Sequence, residues 1–128
     1  MGALDRNLLD LVTLARRHGP RALVHELDYR VSNFMAERRL RVRTNGLVPI
    51  ERIAPGEPEL RDSTPIGYRA VTAALRSLPI DRARAVFLDY GCGKGRACLV
   101  AARLGFARVI GVELSELLAG TARANLAG

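Results

Sequence analysis

The segment FLDYGCGKGRA, residues 87–97, constrains the fold of this 128-residue chain more than any other stretch. An apolar run, Ala85-Val86-Phe87-Leu88, meets Asp89-Tyr90 and then three glycines at positions 91, 93 and 95. Such a run suits a strand buried on both faces, as in a parallel sheet. The glycines allow a sharp turn and let the backbone approach a ligand with no Cβ in the way. A small-residue helix is expected to follow from Lys94 to Leu104, closed by Gly105. Its free N–H groups and positive dipole end favour a negative ligand group at the turn. Arg108–Val112 then reads as a second buried strand ending at Glu113, and Ser115 is placed to cap a helix through about Leu126. Strand, glycine turn, helix, strand and helix in that order open a doubly wound α/β fold.

Three ligand classes compete for the turn. A phosphate-binding loop needs Ser or Thr after the lysine, but Lys94 is followed by Gly95. A dinucleotide fingerprint needs a small residue at the third position of its spacing, where counting from Gly91 meets Arg96 and counting from Gly93 meets Cys98. What is left is GxGxG with Asp89 two residues before it. An acid at the strand tip is awkward for a diphosphate and suits a ligand carrying positive charge. S-adenosylmethionine has that pattern: an ammonium, a sulfonium and one carboxylate. Asp89 would serve the cationic part and the turn N–H groups the carboxylate. Glu113, at the end of the second strand, could accept bonds from both ribose hydroxyls. Each acid also has a plain structural reading, Asp89 as a helix-capping acid and Glu113 as a partner of Arg96 or Arg123.

Upstream, Leu4, Leu8, Leu11, Val12 and Ala15 share one helical face over residues 4–18, and Gly19-Pro20 stops that helix. A second helix is expected from Arg21 to about Arg39, with Leu23, Leu27, Val31, Phe34 and Met35 as its apolar stripe and the basic run Arg38, Arg39, Arg41, Arg43 at its end. Thr44 to Thr64 is rich in Gly and Pro, and a loop of that length inside a domain is often functional. Ser63-Thr64-Pro65 reads as an N-cap followed by a first-turn proline. The helix it would start runs to about Leu78, with Ile66, Ala70, Val71, Ala74, Leu75 and Leu78 as its buried stripe.

At this point the chain resembles class I S-adenosylmethionine-dependent methyltransferases. DYGCGKG looks like their glycine motif, and GVELS like the acidic strand end that follows. NGLVPIERI and STPIGYRAV are similar to segments of a bacterial branch of that family. The resemblance implies cofactor contacts at Asp89, Gly91, Gly93 and Glu113, with Leu114 packing on adenine and Thr64 and Tyr68 near the methionine end. Tyr90 and Cys92 are spacer positions and acquire no role from it, and no catalytic residue is implied. The family fold uses about seven strands, so a Rossmann-like methyltransferase fold truncated after the second strand–helix unit is expected. It would comprise N-terminal helices and a Pro/Gly-rich loop over 1–64 and the start of the cofactor domain over 65–128. The piece alone is expected to lack turnover.

Methyl transfer from S-adenosyl-L-methionine to an unidentified acceptor, whether protein, small molecule or RNA, is therefore the expected function. The rival readings are a non-catalytic S-adenosylmethionine-binding protein and a nucleotide-dependent, NAD-type oxidoreductase. The net charge is +7, but the basic excess is spread along the chain and is nearly all arginine, with no Trp to stack bases, so DNA is not the expected partner. His18 and His25 lack ligand-spaced partners, and Cys92 and Cys98 match no zinc framework, so no metal is expected. A reducing cytoplasm is the expected location and no membrane the expected partner, since no apolar run of about 18 residues exists. The oligomeric state is left open.

Overall fold

A computed structural model of the chain describes residues 3–53 and 62–127, with backbone alone over residues 3–8. Helix α1 (Ala3–His18) ends at Gly19, whose φ of +82° suits glycine, and α2 (Pro20–Leu40) starts directly on the proline. A short α3 (Ile50–Ile53) and α4 (Tyr68–Ser77) precede strand β1 (Val86–Tyr90). Helix α5 (Arg96–Arg103), strand β2 (Arg108–Val112) and α6 (Glu116–Leu126) complete the order. The strands pair in parallel, Val86 opposite Arg108 through Tyr90 opposite Val112. The chain divides into two units between Ser32 and Asn33, so the end of α2 and the Gly/Pro-rich stretch belong to the unit that carries the glycine turn.

The core of the second unit is Tyr68, Val71 and Leu75 from α4 against Val100 and Ala101 from α5, with Phe87 and Val109 of the sheet packed on it. Phe87 and Phe106 meet edge to face with ring centroids 5.6 Å apart. These helices lie on one face of the sheet only. Val86, Leu88 and Tyr90 alternate onto the other face and are exposed, as is Val112. The expectation of strands buried on both faces therefore holds for one face, where Phe87 is half-buried.

Two further expectations are corrected. The apolar stripe of α2 is not its inward face: Leu27, Val31, Phe34 and Met35 are exposed, while Asn33 is buried and Ala36, Glu37 and Leu40 are half-buried. Ser63 and Thr64 do not cap α4. Ser63 instead pairs with Val48 in an isolated antiparallel bridge, residues 64–67 belong to no helix or strand, and α4 begins at Tyr68 after Gly67. The Asn33 side chain reaches from α2 and its Oδ1 accepts the Tyr68 N–H at 2.9 Å, supplying the cap across space. Ile66 and Leu78, placed in the buried stripe of α4 from periodicity, are exposed. Part of the expected loop, residues 54–61, lies outside the described residues, as do the side chains of Leu4 and Leu8.

Candidate functional site

At the end of β1 the chain folds back on β2, the N–H groups of Gly91 and Cys92 both donating to the Val112 carbonyl at 2.8 and 3.0 Å. Gly91, Gly93 and Gly95 take φ values of +73°, +55° and +82°, a region closed to most side chains. Gly95 has a second reason to be glycine, since a Cβ there would sit 3.1 Å from the Cβ of Ala122 on α6. Gly95 precedes the first residue of α5, so the turn delivers the helix N-terminus to the strand tips. The Gly93 N–H donates to Glu113 Oε2 at 2.8 Å and the Ser115 N–H to Glu113 Oε1 at 2.9 Å. Ser115 itself caps α6 through the Leu118 N–H.

A cavity of about 290 Å³ lies over the turn. Its inner wall is Asp89, Gly91 and Gly93, and Thr44, Ser63 and Thr64 stand among the residues on its other side. The Asp89 carboxyl is pushed above the usual carboxylate range, first by burial and then by the neighbouring Glu113 charge. Of the residues singled out in the sequence, Asp89, Gly91, Gly93 and Thr64 meet in this cavity. Glu113 is not among the residues that line this cavity, and its carboxylate is tied to backbone N–H groups of Gly93 and Ser115 rather than to Arg96 or Arg123. Tyr68 is buried beneath the site, and Leu114 is 75% exposed. Burial raises the Tyr68 phenol above its ordinary value.

The side chains that assemble the cavity were not singled out. Arg96, 3% exposed, donates through Nε to Thr44 Oγ1 at 2.8 Å, through Nη1 to the Ile66 carbonyl at 2.7 Å and through Nη2 to Asn45 Oδ1 at 2.6 Å. Its guanidinium lies 4.5 Å over the Tyr68 ring and 3.8 Å from Glu37 Oε1. Glu37 accepts from the N–H groups of Thr44 and Asn45, from Thr44 Oγ1 and from Asn45 Nδ2. Thr44 Oγ1 gives its one proton to Glu37, so the 2.9 Å contact with Tyr68 is donated by the phenol. Lys94 Nζ donates to the carbonyls of Asn45 at 2.6 Å and Gly46 at 2.9 Å, and burial lowers its pKa. Asn125 Nδ2 donates to the carbonyls of Arg43 and Lys94. One local signal marked Arg96 beforehand: a cation at the first residue of a helix opposes the dipole and needs another reason to be there.

The sulfurs of Cys92 and Cys98 both lie against Gly111 of β2, and Cys92 also lines the cavity. Cys98 is fully buried, and burial pushes its thiol up to about 12. Burial, with the Asp89 and Glu113 charges adding to it, also raises Cys92. Neither is set up as a nucleophile. Among the described residues no group of three or more His, Cys, Asp and Glu could hold a metal ion, and no helix is long and apolar enough to cross a membrane.

Residues 88–128 match the family model of a methyltransferase domain. No curated protein and no solved structure matches the chain. The matched stretch starts inside β1 and carries the glycine turn, α5, Glu113 and α6. Over residues 88–128 this chain is thus similar to the methyltransferase domain family, in the stretch that carries the glycine turn and the acidic end of the second strand.

Proposed function

We infer that this chain binds S-adenosylmethionine over its glycine turn and serves a methyltransferase acting on an acceptor still to be identified, whether protein, small molecule or RNA. The observation that carries the reading is Asp89: a partly desolvated carboxylate at a strand tip, lining a cavity beside a glycine turn that leads into a helix N-terminus. A carboxylate there repels a pyrophosphate and attracts an ammonium or sulfonium. The residues fit such a ligand. Glu113 spends one lone pair of each oxygen on the turn and on Ser115, which leaves a second on each for a pair of ribose hydroxyls.

The bound methyl donor would supply an electrophilic methyl on a sulfonium, and the protein's share is positioning. In this reading Asp89 orients the cationic part of the donor, directly or through water. The glycine turn receives its carboxylate, and Thr44 and Thr64 close the opposite wall against solvent. Leu114, exposed beside Glu113, is free to pack on adenine.

Calorimetric titration of the chain with S-adenosylmethionine, its demethylated product and NAD tests the reading. Binding of the first two in preference to NAD is expected. Preference for NAD, or no binding of either methyl-donor form, would overturn it. Transfer of labelled methyl from S-adenosylmethionine by the natural protein, in a lysate depleted of it and then supplemented, separates an enzyme from a binding protein.

A further inference from the structure

We propose that Arg96 is a positioning residue for the cavity over the glycine turn, holding its outer wall in place from beneath. The proposal rests on the S-adenosylmethionine reading for its ligand and on the hydrogen bonds of Arg96 for its substance.

The outer wall consists of two irregular stretches, Thr44–Gly46 and Ser63–Ile66. Neither belongs to a regular strand, and the isolated bridge near them pairs Ser63 with Val48, two residues beyond the first stretch. Irregular backbone of this kind holds a defined position only when side chains satisfy its polar groups. Glu37 and Lys94 satisfy backbone groups of the first stretch. Arg96 joins it to the second through the side-chain oxygens of Thr44 and Asn45 and the backbone carbonyl of Ile66, all within 2.8 Å.

The chemistry suits arginine alone. Three acceptors lie in different directions around one planar guanidinium, and its face covers the Tyr68 ring at 4.5 Å. A lysine ammonium has three donors but is a compact point charge on a flexible stem, and it reproduces neither the fork nor the stacking. Glu37 completes the arrangement by offsetting the buried charge and accepting from the same Thr44–Asn45 stretch. A buried guanidinium with one counterion and three further acceptors is costly to assemble, and its result here is a wall that faces the ligand. Arg96 is thus placed to act on cofactor affinity through Thr44, Asn45 and Ile66.

The test compares Arg96→Lys, Asn45→Ala and Arg123→Lys with the parent chain by two readouts. One is calorimetric affinity for S-adenosylmethionine. The other is amide hydrogen exchange of the peptides that cover residues 43–48 and 63–67 in the free protein. Arg96→Lys is expected to weaken binding tenfold or more and to speed exchange in both peptides, while exchange in α5 and β1 stays protected. Asn45→Ala removes one of the acceptors on an exposed residue and should weaken binding several-fold, which keeps the proposal testable if Arg96→Lys fails to fold. Arg123→Lys, whose guanidinium pairs with Glu116 on the surface, should change neither readout.

Parent-like affinity and exchange in both Arg96→Lys and Asn45→Ala would overturn the proposal. Faster exchange with unaltered affinity overturns it too, because the wall would then not matter to the ligand. If the parent binds no S-adenosylmethionine, the cofactor reading falls. The exchange arm then still decides whether Arg96 holds the two stretches.

Discussion

The Glu113 carboxylate accepts the Gly93 N–H at 2.8 Å, so the acid at the end of β2 braces the glycine turn that follows β1. Its other oxygen holds the Ser115 N–H at the start of α6. One side chain therefore sets the turn and the next helix while keeping free lone pairs on both oxygens.

Glu113→Ala should lower affinity and stability together. A hydrogen bond to a charged group contributes roughly 1.5–3 kcal/mol, and water recovers part of what is lost. A net loss of about 2–3 kcal/mol corresponds to roughly 30- to 150-fold weaker binding of S-adenosylmethionine. Glu116→Ala is the control: its side chain is 92% exposed, and its pairing with Arg123 contributes little. Calorimetry on both variants measures the difference, and equal losses would remove the ribose role from Glu113.

Asp89→Asn should raise stability and weaken binding. The folded state raises the Asp89 pKa, by burial and by Glu113, so ionising this carboxyl costs stability at any pH above its folded value. The amide removes that cost. Its gain in thermal midpoint is full at neutral pH and fades as pH falls through the raised folded value toward the unfolded one. In the parent, protonation of Asp89 should weaken binding of S-adenosylmethionine on acidification, starting above the ordinary carboxylate range. Melting curves and titrations over that window check both halves, and an Asn variant less stable than the parent at neutral pH would contradict the first.

Asn33→Ala removes the cap that α2 supplies to α4. Loss of such a cap costs about 1 kcal/mol. The Asn33 Nδ2 is buried without a partner among the described residues, so its removal offsets part of the loss. A drop in the denaturant midpoint with an unchanged slope is expected, with faster exchange confined to the first turn of α4. An unchanged midpoint would show that α4 does not depend on Asn33.

Gly111→Ala should destabilise although Gly111 has an ordinary strand conformation. A Cβ there would meet the sulfurs of Cys92 at 2.8 Å and Cys98 at 3.0 Å. Forcing an extra methyl against packed groups costs about 1–3 kcal/mol. Chemical denaturation measures it. Gly120→Ala on α6, whose Cβ would meet nothing within 4 Å among the described residues, should not destabilise.

Much of the site was legible because its signals are local. Ala85 to Leu88 followed by glycines at 91, 93 and 95 specified a strand and a turn with positive φ, and these are the strand and the φ values found. Ser115 announced α6, and its hydroxyl caps that helix. Apolar runs and cap residues act within a few positions, so the chain's own order records them.

Other features were settled only when distant segments met. The inward face of α2 follows Asn33 and Glu37 rather than its apolar stripe, because a buried polar group needs its partners wherever the fold brings them. Those partners lie 35 residues away at Tyr68 and seven away at Thr44. Arg96 reaches Thr44 across 52 residues, and no periodicity within α5 encodes that bond. The sequence by itself determined the parallel strand pair and the glycine turn, since both are written in short-range pattern. The wall opposite the turn was decided by tertiary structure alone, since hydrogen bonds between far-apart residues have no local spacing to reveal them.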